Sequence, residues 1–392
     1  MLKKFVKPVI YWLISNLSIV FYKKKNKLLP NKITSILVVN LGLIGDGLLI
    51  TPVITKLQNK YKGEAKISLL VTPWAFTALK NIDGIDKYIY EAFWADPKDN
   101  HKHAMTFQHL ILTYTIIKKI KKYKFDVIIN TWFADQPFSA LLLRFLNSGN
   151  LIGFDFKYSG KFYDWSNYFD PEKHIIYNLN ILINKYFNIN SNEDIKYCLP
   201  KGYIGNFDNL IKDIQKYILI SPFTSELHKS WPLENWEILI EILIDKYPEF
   251  NYVLVGTKEN ANISKNFINK LSPKVIDLVG KTTFDDFAVL VKSAFFIISV
   301  DSSITHLASA FKVPVFILFS HIYNYKQILP YNSLHSYLID NQESNGNKRH
   351  IVNTNYMRHD PLIVIDKINK FIKAILSSSD KLNYGFKDEK TG

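Results

Sequence analysis

The chain has 392 residues, of which 47% are hydrophobic and 21% charged, and its formal net charge is +14. This composition is typical of a globular protein with room for two domains, and it excludes an intrinsically disordered chain. The single cysteine, Cys198, excludes an internal disulfide framework and a cysteine-based zinc site, and it indicates a reducing compartment.

The positive charge is concentrated at the start of the chain, where residues 1–32 hold eight lysines and no acidic residue. Between the lysine clusters, residues 9–22 form an apolar run that is shorter than the roughly 20 residues needed to span a bilayer. No small-residue cleavage site follows, which argues against a cleaved signal peptide. Lysines flanking Trp, Tyr and Phe favour a basic amphipathic arm that lies on an anionic membrane surface. The alternative is a helix packed on the protein body with solvated lysine ends.

From residue 33 onward, apolar strand patterns alternate with helical patterns, which predicts parallel βαβ units and an α/β class. In the first half the predicted strands are 35–41, 66–72, 87–90, 126–130 and 151–154. The predicted helices are 48–61, 107–123, 138–147 and 174–187. Residues 155–169 show no regular pattern. Within them, the aromatic and basic segment 156–165 would stack on sugar rings or contact acceptor phosphates, although packing of its rings in a core is the favoured alternative.

The turn after the first strand reads Gly-x-x-Gly-Asp-Gly over residues 42–47. This order differs from the dinucleotide-binding fingerprint, and no acidic residue ends the next strand. Asp46 stands just before a helix, where a carboxylate would accept a proton from a hydroxyl nucleophile. It would equally serve as the helix cap, and the turn by itself favours capping.

Residues 188–215 are polar, contain prolines and glycines, and are the candidate linker. A second alternating run follows, with predicted strands 217–221, 252–256, 275–279, 295–300 and 315–319 and predicted helices 233–246, 261–271, 284–292 and 302–311. Residues 361–376 have a helical pattern, interpreted as a helix that packs back on the first domain, and the polar tail after 377 is expected to be loose. Two doubly wound runs predict two Rossmann-like domains facing a central cleft. The predicted divisions are 1–32, 33–205, 206–360 and 361–392.

Two stretches of the second run carry polar groups where a strand ends. Residues 221–236 place Thr224, Ser225 and Lys229 in a loop before a Trp-Pro helix start. Hydroxyls and one ammonium would offset the charge of a diphosphate, although a solvated loop with a Trp core anchor explains this stretch equally well.

The other stretch, residues 297–319, reads as a buried strand, a polar turn, a short helix and a second buried strand. Its turn brings hydroxyls, a carboxylate and an imidazole to the start of the helix: Asp301, Ser302, Ser303, Thr305 and His306. Unpaired N–H groups and the positive end of the helix dipole suit a phosphate at this position. Helix capping by Ser302 or Asp301 would explain one such residue but not the group, so anion binding is favoured.

Together these stretches resemble glycosyltransferase family 9, the ADP-heptose:lipopolysaccharide heptosyltransferases, over roughly residues 33–325. The family's opening strand, Gly-Asp turn and Thr-Pro helix match residues 36–52, and its Ser/Thr loop with Lys and Trp-Pro matches 221–236. Its Gly-Lys-Thr and Asp-Ser-Gly-x-x-His-Leu-Ala-Ala-Ala stretches match 280–282 and 301–310, with Val-Pro following at 313–314. Each motif is moderately specific, but four in the same order and spacing are strong.

The resemblance implies a GT-B fold in which the first domain handles the acceptor and the second binds an ADP-sugar. It implies Asp46 as general base and Lys229 as the group that stabilises the departing diphosphate. It places Thr224, Ser225, Lys229, Asp301, Ser302, Ser303 and His306 at the diphosphate and Glu259 at the ribose. The family is inverting and needs neither metal nor cofactor. Ser303 departs from the family's usual glycine, which bears on the choice of donor.

The expected function is therefore transfer of a sugar, heptose from ADP-heptose, onto a lipopolysaccharide-core or related lipid-linked glycan. The expected location is the cytoplasmic face of a bacterial inner membrane, as a peripheral protein. The alternatives are a GT-B transferase that uses another nucleotide-sugar in capsule or glycoprotein synthesis, and a non-catalytic nucleotide-sugar-binding scaffold. Nucleic acid is discounted as a partner, because the excess charge lies in one terminal arm and no recognition motif is present.

Overall fold

A computed structural model describes the protein over two compact units, Met1–Gly202 and Tyr203–Gly392. The described residues are 32–90, 107–132, 136–144, 149–155, 159–190, 216–320, 324–331, 333–340 and 356–379, together with the single residues 30, 146, 197, 199, 203 and 214. Most of the predicted arm, most of the predicted linker and the tail beyond 379 lie outside them. No helix in the described part of the chain is long and apolar enough to cross a membrane.

The first unit is a six-stranded parallel sheet with helices between its strands. Its strands are β1 (Ser35–Asn40), β2 (Lys66–Val71), β3 (Ile85–Tyr90), β4 (Val127–Asn130), β5 (Asn150–Asp155) and β6 (Trp165–Tyr168). Its helices are α1 (Ile44–Leu49), α2 (Thr51–Tyr61), α3 (Pro73–Leu79), α4 (Phe107–Ile120), α5 (Gln136–Arg144) and α6 (Ile175–Phe187). The strand order is β3-β2-β1-β4-β5-β6.

The second unit repeats the architecture. Its strands are β7 (Tyr217–Ser221), β8 (Asn251–Leu254), β9 (Val275–Asp277), β10 (Phe296–Val300), β11 (Val315–Phe319) and β12 (His335–Ile339). Its helices are α7 (Leu233–Lys246), α8 (Lys258–Ile268), α9 (Phe284–Ser293), α10 (Ser303–Phe311) and α11 (Pro361–Ser379). The order β12-β11-β10-β7-β8-β9 is the same doubly wound order counted within the unit, so the prediction of two Rossmann-like domains is confirmed.

The central strands of both sheets are covered on both faces, which explains why the sequence shows them as continuous apolar runs. Every residue of β7, β10 and β11 is buried, and so are residues 36–40 of β1. The prediction overlooked β6, β12 and α3. Neither β6 nor β12, which are edge strands, contains a buried residue, so neither leaves an apolar signature.

Helix α11 packs on the second unit, so the interpretation that it returns to the first domain is wrong. Its apolar face joins the core beneath α7 through Val364, Ile368 and Ile372. The Tyr247 hydroxyl at the end of α7 donates to Asn369 Oδ1 at 2.8 Å. The physical reason is that the apolar face of α11 is buried when the helix covers the second sheet, and that sheet needs an apolar layer to cover it.

In each sheet the strand order reverses at one place, between β1 and β4 in the first unit and between β10 and β7 in the second. Open α/β sheets bind ligands beside the carboxyl ends of the strands at this switch point. The turn at residues 42–47 follows β1, while the loops at 222–230 and 301–302 follow β7 and β10. All three motifs therefore lie at the switch points of their own sheets.

Candidate functional site

The turn after β1 is held in place by buried side chains from three neighbouring strands. Asn40 Oδ1 accepts from the Gly42 N–H at 3.1 Å, and Asn40 Nδ2 donates to Thr131 Oγ1 at 3.3 Å. From the end of β2, the Thr72 hydroxyl donates to the Gly42 carbonyl at 2.6 Å. Asn40 thus connects the loops after β1 and β4 across the switch point and fixes the backbone on which Asp46 stands.

Asp46 is the third residue of α1, and it does cap the helix. Its Oδ2 accepts from the Leu43 N–H at 2.8 Å, and the carboxylate is half-buried. The side chain lies directly over Gly42, where an added Cβ would collide with the Asp46 carboxyl group. Gly42 is therefore needed for close approach rather than for an unusual backbone angle. The geometry shows that Asp46 caps α1. Its role as general base stays a prediction.

The second switch point is crossed by an ion pair. Lys229 Nζ lies 3.0 Å from Asp301 Oδ2, which joins the loop after β7 to the loop after β10. The same ammonium lies 3.0 Å from Glu226 Oε1, three residues back in a short 3₁₀ turn. One cation is thus held by two carboxylates. The structure brings Lys229 and Asp301 together, as the sequence motifs predict for a shared site.

The cluster is largely removed from solvent, although its two carboxylates differ in exposure. The exposed fraction of the side chain is 17% for Lys229, 8% for Asp301 and 38% for Glu226. Burial acts to lower the pKa of Lys229, but the carboxylates of Asp301 and then Glu226 outweigh it and raise the pKa above its ordinary value. Lys229 is therefore a permanent cation, and it cannot serve as a general base.

Glu226 and the adjacent His228 were not assigned a role from the sequence. His228 is buried, and its Nε2 lies 3.5 Å from Glu226 Oε2. Glu226 therefore lies between an imidazole and an ammonium from the same loop. The sequence does contain one signal for Glu226: it precedes Lys229 by three residues, and a single 3₁₀ turn brings residues at this spacing together.

At the start of α10 the Ser302 hydroxyl is not used for capping, whereas the buried Thr305 hydroxyl donates to the Ser302 carbonyl at 2.8 Å. Ser302 takes the N-cap position in extended conformation, yet its side chain makes no capping hydrogen bond within the described structure. Its Oγ lies 3.5 Å from Ser299 Oγ, while Asp301 faces Lys229 instead of the helix. The alternative that Ser302 or Asp301 only caps the helix is not what the structure shows. Ser303 is the first helical residue and is half-buried.

His306 lies one turn into α10 and is buried. Burial is the main cause that lowers its pKa to about 4, with Lys229 acting in the same direction and Asp301 acting against both. The imidazole is therefore neutral at neutral pH. Beside an anionic ligand it would act as a neutral hydrogen-bond donor and would add no positive charge.

The remaining predicted residues lie on the same edge of the sheet. Thr224 is half-buried and its Oγ1 accepts from the Glu226 N–H at 3.4 Å, while Ser225 is exposed. Glu259 is exposed on the first turn of α8, after the neighbouring strand β8. Lys281 of the Gly-Lys-Thr stretch bonds to Asp277 Oδ2 at 2.6 Å, so its ammonium serves the β9 loop.

These loops are packed against one another rather than independent. A Cβ added to Gly256, after β8, would meet Phe223 of the β7 loop at 2.6 Å. The next loop is tied in as well, because the Gly280 N–H donates to the Gly256 carbonyl at 3.0 Å. The loops after β7, β8 and β9 therefore form one continuous rim, which holds the backbone around Lys229.

Within the described ranges, no group of three or more His, Cys, Asp or Glu side chains is placed to hold a metal ion.

In the aromatic segment, Phe162 and Tyr163 are buried in the core of the first unit. The Tyr163 hydroxyl accepts from Asn130 Nδ2 at 2.8 Å, so these two rings are core residues.

With this geometry in place, comparisons with known proteins identify the family. The profile of glycosyltransferase family 9 (heptosyltransferase) matches residues 113–357. Lipopolysaccharide heptosyltransferase 1 of Campylobacter coli is 25% identical over 334 residues, which cover 81% of this chain and 92% of that protein.

Two solved structures have the same fold. The glycosyltransferase family 9 protein of Veillonella parvula matches with a TM-score of 0.69 at 15% identity, covering 91% of this chain and all of the other. Escherichia coli heptosyltransferase WaaC, solved with ADP-2-deoxy-2-fluoro heptose, matches with a TM-score of 0.64 at 19% identity, covering 87% and 99%. The GT-B class implied by the resemblance is thereby confirmed. The chain belongs to glycosyltransferase family 9 (heptosyltransferase), and it is a glycosyltransferase.

Proposed function

We propose that the protein transfers heptose from ADP-heptose to a sugar hydroxyl of a lipopolysaccharide-core or related lipid-linked glycan, with inversion at the anomeric carbon and without a metal ion. The observation that carries the proposal is the Lys229–Asp301 pair across the second switch point, in a chain of this family. The donor choice is supported by WaaC, which was solved with an ADP-heptose analogue, and the acceptor class by the Campylobacter relative.

The donor diphosphate would bind where the β7 and β10 loops meet. Lys229 supplies the positive charge, and the N–H groups at the start of α10 supply donors aligned with the helix dipole. Hydroxyls of Thr224, Ser225, Ser302 and Ser303 and the neutral imidazole of His306 complete the donor set. Glu259, after β8, would accept hydrogen bonds from the ribose hydroxyls.

The transfer is a single displacement. The Asp46 carboxylate takes the proton of the acceptor hydroxyl as its oxygen forms the bond to the anomeric carbon. The bond from that carbon to the diphosphate oxygen breaks at the same time, and ADP leaves with the electron pair. Negative charge grows on the diphosphate, so Lys229 and the α10 start stabilise the transition state more than the bound donor.

The two carboxylate contacts of Lys229 imply a step that the sequence did not predict. Because Lys229 is paired with two carboxylates, we infer that an arriving diphosphate replaces one of them beside the ammonium. Glu226 is the more exposed of the two and lies on a short turn, so it is the one that gives way. Asp301 stays and orients the ammonium.

The test is a donor panel with an authentic acceptor. Purified protein is mixed with lipid acceptor extracted from cells that lack the protein, and with ADP-heptose, ADP-glucose, UDP-glucose or GDP-mannose, with and without chelators of divalent metals and iron. Mass spectrometry detects the product and NMR reads its anomeric configuration. We expect transfer from ADP-heptose only, inverted and insensitive to chelators. Transfer from another donor would support the capsule or glycoprotein alternative, and no transfer from any donor would support the scaffold.

The protein would work as a peripheral protein on the cytoplasmic face of the inner membrane, where a lipid-linked acceptor is accessible. The sequence of residues 1–32, with eight lysines around an apolar aromatic run, supports this location. No nucleic acid partner and no resident cofactor are part of the proposal.

A further inference from the structure

We propose that the lysine-rich end of α4 is a second membrane-binding surface, which places the amino edge of the first sheet against an anionic bilayer. This surface, the α4 lysine end, consists of Lys118, Lys119, Lys121, Lys122 and Lys124. The inference rests on the proposed function only for the choice of a membrane as partner. The surface itself is independent of residues 1–29, which lie outside the described structure.

The α4 lysine end is flanked by residues that are buried in the core. On the core side, Ile116, Ile120 and Phe125 are buried in the hydrophobic cluster of the first unit. Between these anchors a 3₁₀ turn, Lys121–Tyr123, closes the helix and the chain enters β4. All five lysines are exposed as a result. Five cations within seven residues on one fixed end form a dense positive patch.

An exposed aromatic ring lies within the same patch. The Tyr123 side chain is 41% exposed, and Lys87 Nζ from β3 lies 4.9 Å from its ring centroid. Tyrosine flanked by lysines is the combination that suits the headgroup region, because the ring has an apolar body and a polar tip. A patch of this kind fits a bilayer surface better than it fits a small soluble anion.

The two carboxylates that the described contacts place beside this patch do not balance its charge. Asp86 lies 3.9 Å from Lys66 and 3.7 Å from Lys87. Asp126 Oδ2 accepts from the N–H groups of Thr34 and Ser35 at 2.8 and 3.0 Å. Burial acts to raise the pKa of Asp126, but the hydrogen bonds from Thr34 and Ser35 together outweigh it and lower the pKa below its ordinary value. Both carboxylates are thus engaged with groups outside the α4 lysine end.

The contacts of Asp126 also fix where the basic arm is attached. The chain enters β1 through Thr34, which is bonded to Asp126, two residues beyond Lys124. Lys32, which is exposed, is two residues before Thr34 and therefore lies near the same edge of the sheet as the α4 lysine end.

The experiment uses the full chain with vesicles of phosphatidylglycerol and phosphatidylethanolamine, and with phosphatidylcholine vesicles as the neutral reference. The variant is Lys118→Gln/Lys121→Gln/Lys122→Gln. The matched control, Lys246→Gln/Lys265→Gln/Lys292→Gln, removes the same charge from exposed positions of the second unit. Cosedimentation gives the partition coefficient at two salt concentrations, and melting curves confirm that both variants fold.

We expect the variant to lose roughly a hundredfold in partition to anionic vesicles, the product of about fivefold for each of three surface lysines. The control should lose less than threefold, and no protein should bind neutral vesicles. Equal losses for variant and control, or a variant that binds like the wild type, would overturn the proposal. So would tighter binding of single-stranded RNA than of vesicles with the same lysine dependence.

The experiments distinguish a failure of the proposed transferase function from a failure of the proposed membrane surface. Transfer to a soluble, lipid-free acceptor fragment is measured on the same proteins, and the variant should match the wild type because its lysines lie at the opposite end of the strands from Asp46. A wild type inactive with every acceptor would contradict the proposed function and leave the vesicle result standing. An active wild type whose variant still binds vesicles normally would contradict the membrane surface alone.

Discussion

Lys229 and Asp301 are joined by a 3.0 Å ion pair that crosses the point where the second sheet reverses its strand order. Seventy-two positions separate them in the chain, and only the doubly wound topology brings their loops together. The pair positions a permanent cation at the start of a helix, where two independent sources of positive potential act on the same ligand.

Replacing Lys229 should weaken binding of the diphosphate specifically. Lys229→Met should reduce ADP affinity by roughly 1–3 kcal/mol, the value of a lost charge-assisted hydrogen bond, and leave adenosine nearly unchanged. It also leaves the buried Asp301 without its cation, so the melting temperature should fall as well. Isothermal titration with both ligands is the measurement. Lys229→Met/Asp301→Asn should recover stability without recovering ADP affinity, and equal losses for ADP and adenosine would remove Lys229 from the diphosphate site.

Removing the charge of Glu226 should strengthen binding of ADP. Glu226→Gln leaves Lys229 with one carboxylate partner, so the diphosphate no longer competes with a second one. Because Glu226 is 38% exposed, solvent screening limits the gain to about two- to fivefold in the dissociation constant. Glu237→Gln, which removes a surface partner of Lys270, is the matched control and should change nothing. Weaker ADP binding in Glu226→Gln would show that Glu226 supports the site.

Asp46→Asn tests the general base with little structural change. The asparagine oxygen still accepts from the Leu43 N–H, so the cap of α1 is kept while the proton acceptor is lost. Sugar transfer should fall by roughly a hundredfold or more, while ADP affinity and the melting temperature hold. Steady-state kinetics with a saturating donor gives the comparison. Turnover near that of the wild type would assign Asp46 to capping alone.

Stability should fall in mild acid because of His306. Burial lowers its folded-state pKa to about 4, whereas an unfolded histidine titrates near 6.5. Between about pH 6.5 and 4 the unfolded chain binds a proton that the folded chain does not, so stability falls as the pH falls. The loss should reach roughly 3 kcal/mol and level off below about pH 4.

Urea unfolding of His306→Gln at several pH values isolates this contribution, because the remaining titrating groups are shared with the wild type. The variant should have a flatter pH profile by the stated amount. A profile for His306→Gln that runs parallel to the wild type would mean that the pKa of His306 is the same in the folded and unfolded states, which would contradict its lowered pKa.

Deleting residues 1–30 should leave a folded transferase. The start of β1 is held by Asp126, which accepts from Thr34 and Ser35, and none of the deleted residues takes part in these bonds. Binding to anionic vesicles should drop by about 1 kcal/mol for each lysine that lies at the surface, and the remaining binding should depend less on salt. Circular dichroism and vesicle cosedimentation give the two readouts. Unfolding on deletion would show that the arm belongs to the core.

The architecture could be predicted from the sequence because its central strands are buried on both faces. Strands β7 and β11 were predicted residue by residue, since every position in them is apolar or small. Strands β6 and β12 could not be, because an edge strand pairs on one side and contains no buried run. The helix after β1 begins earlier than predicted, within the Gly-rich turn, and breaks at Ile50 ahead of Pro52.

The site was predictable as a set of residue types but not as a set of contacts. Ser302 has the sequence of an N-cap, yet its side chain does not cap, because the orientation of one hydroxyl depends on packing around Ser299. The pairing of Lys229 with both Glu226 and Asp301 depends on a turn of three residues and on strand order together. Local periodicity contains neither piece of information.

Strand β1 has a further consequence when its two ends are considered together. It contains six residues, so about 20 Å separates the edge where Thr34 meets Asp126 from the turn that holds Asp46. If the α4 lysine end rests on lipid headgroups, the length of β1 sets the distance between the bilayer surface and the reacting groups. The acceptor would then have to be a glycan already long enough to reach that height, so the length of the growing oligosaccharide would itself select the substrate.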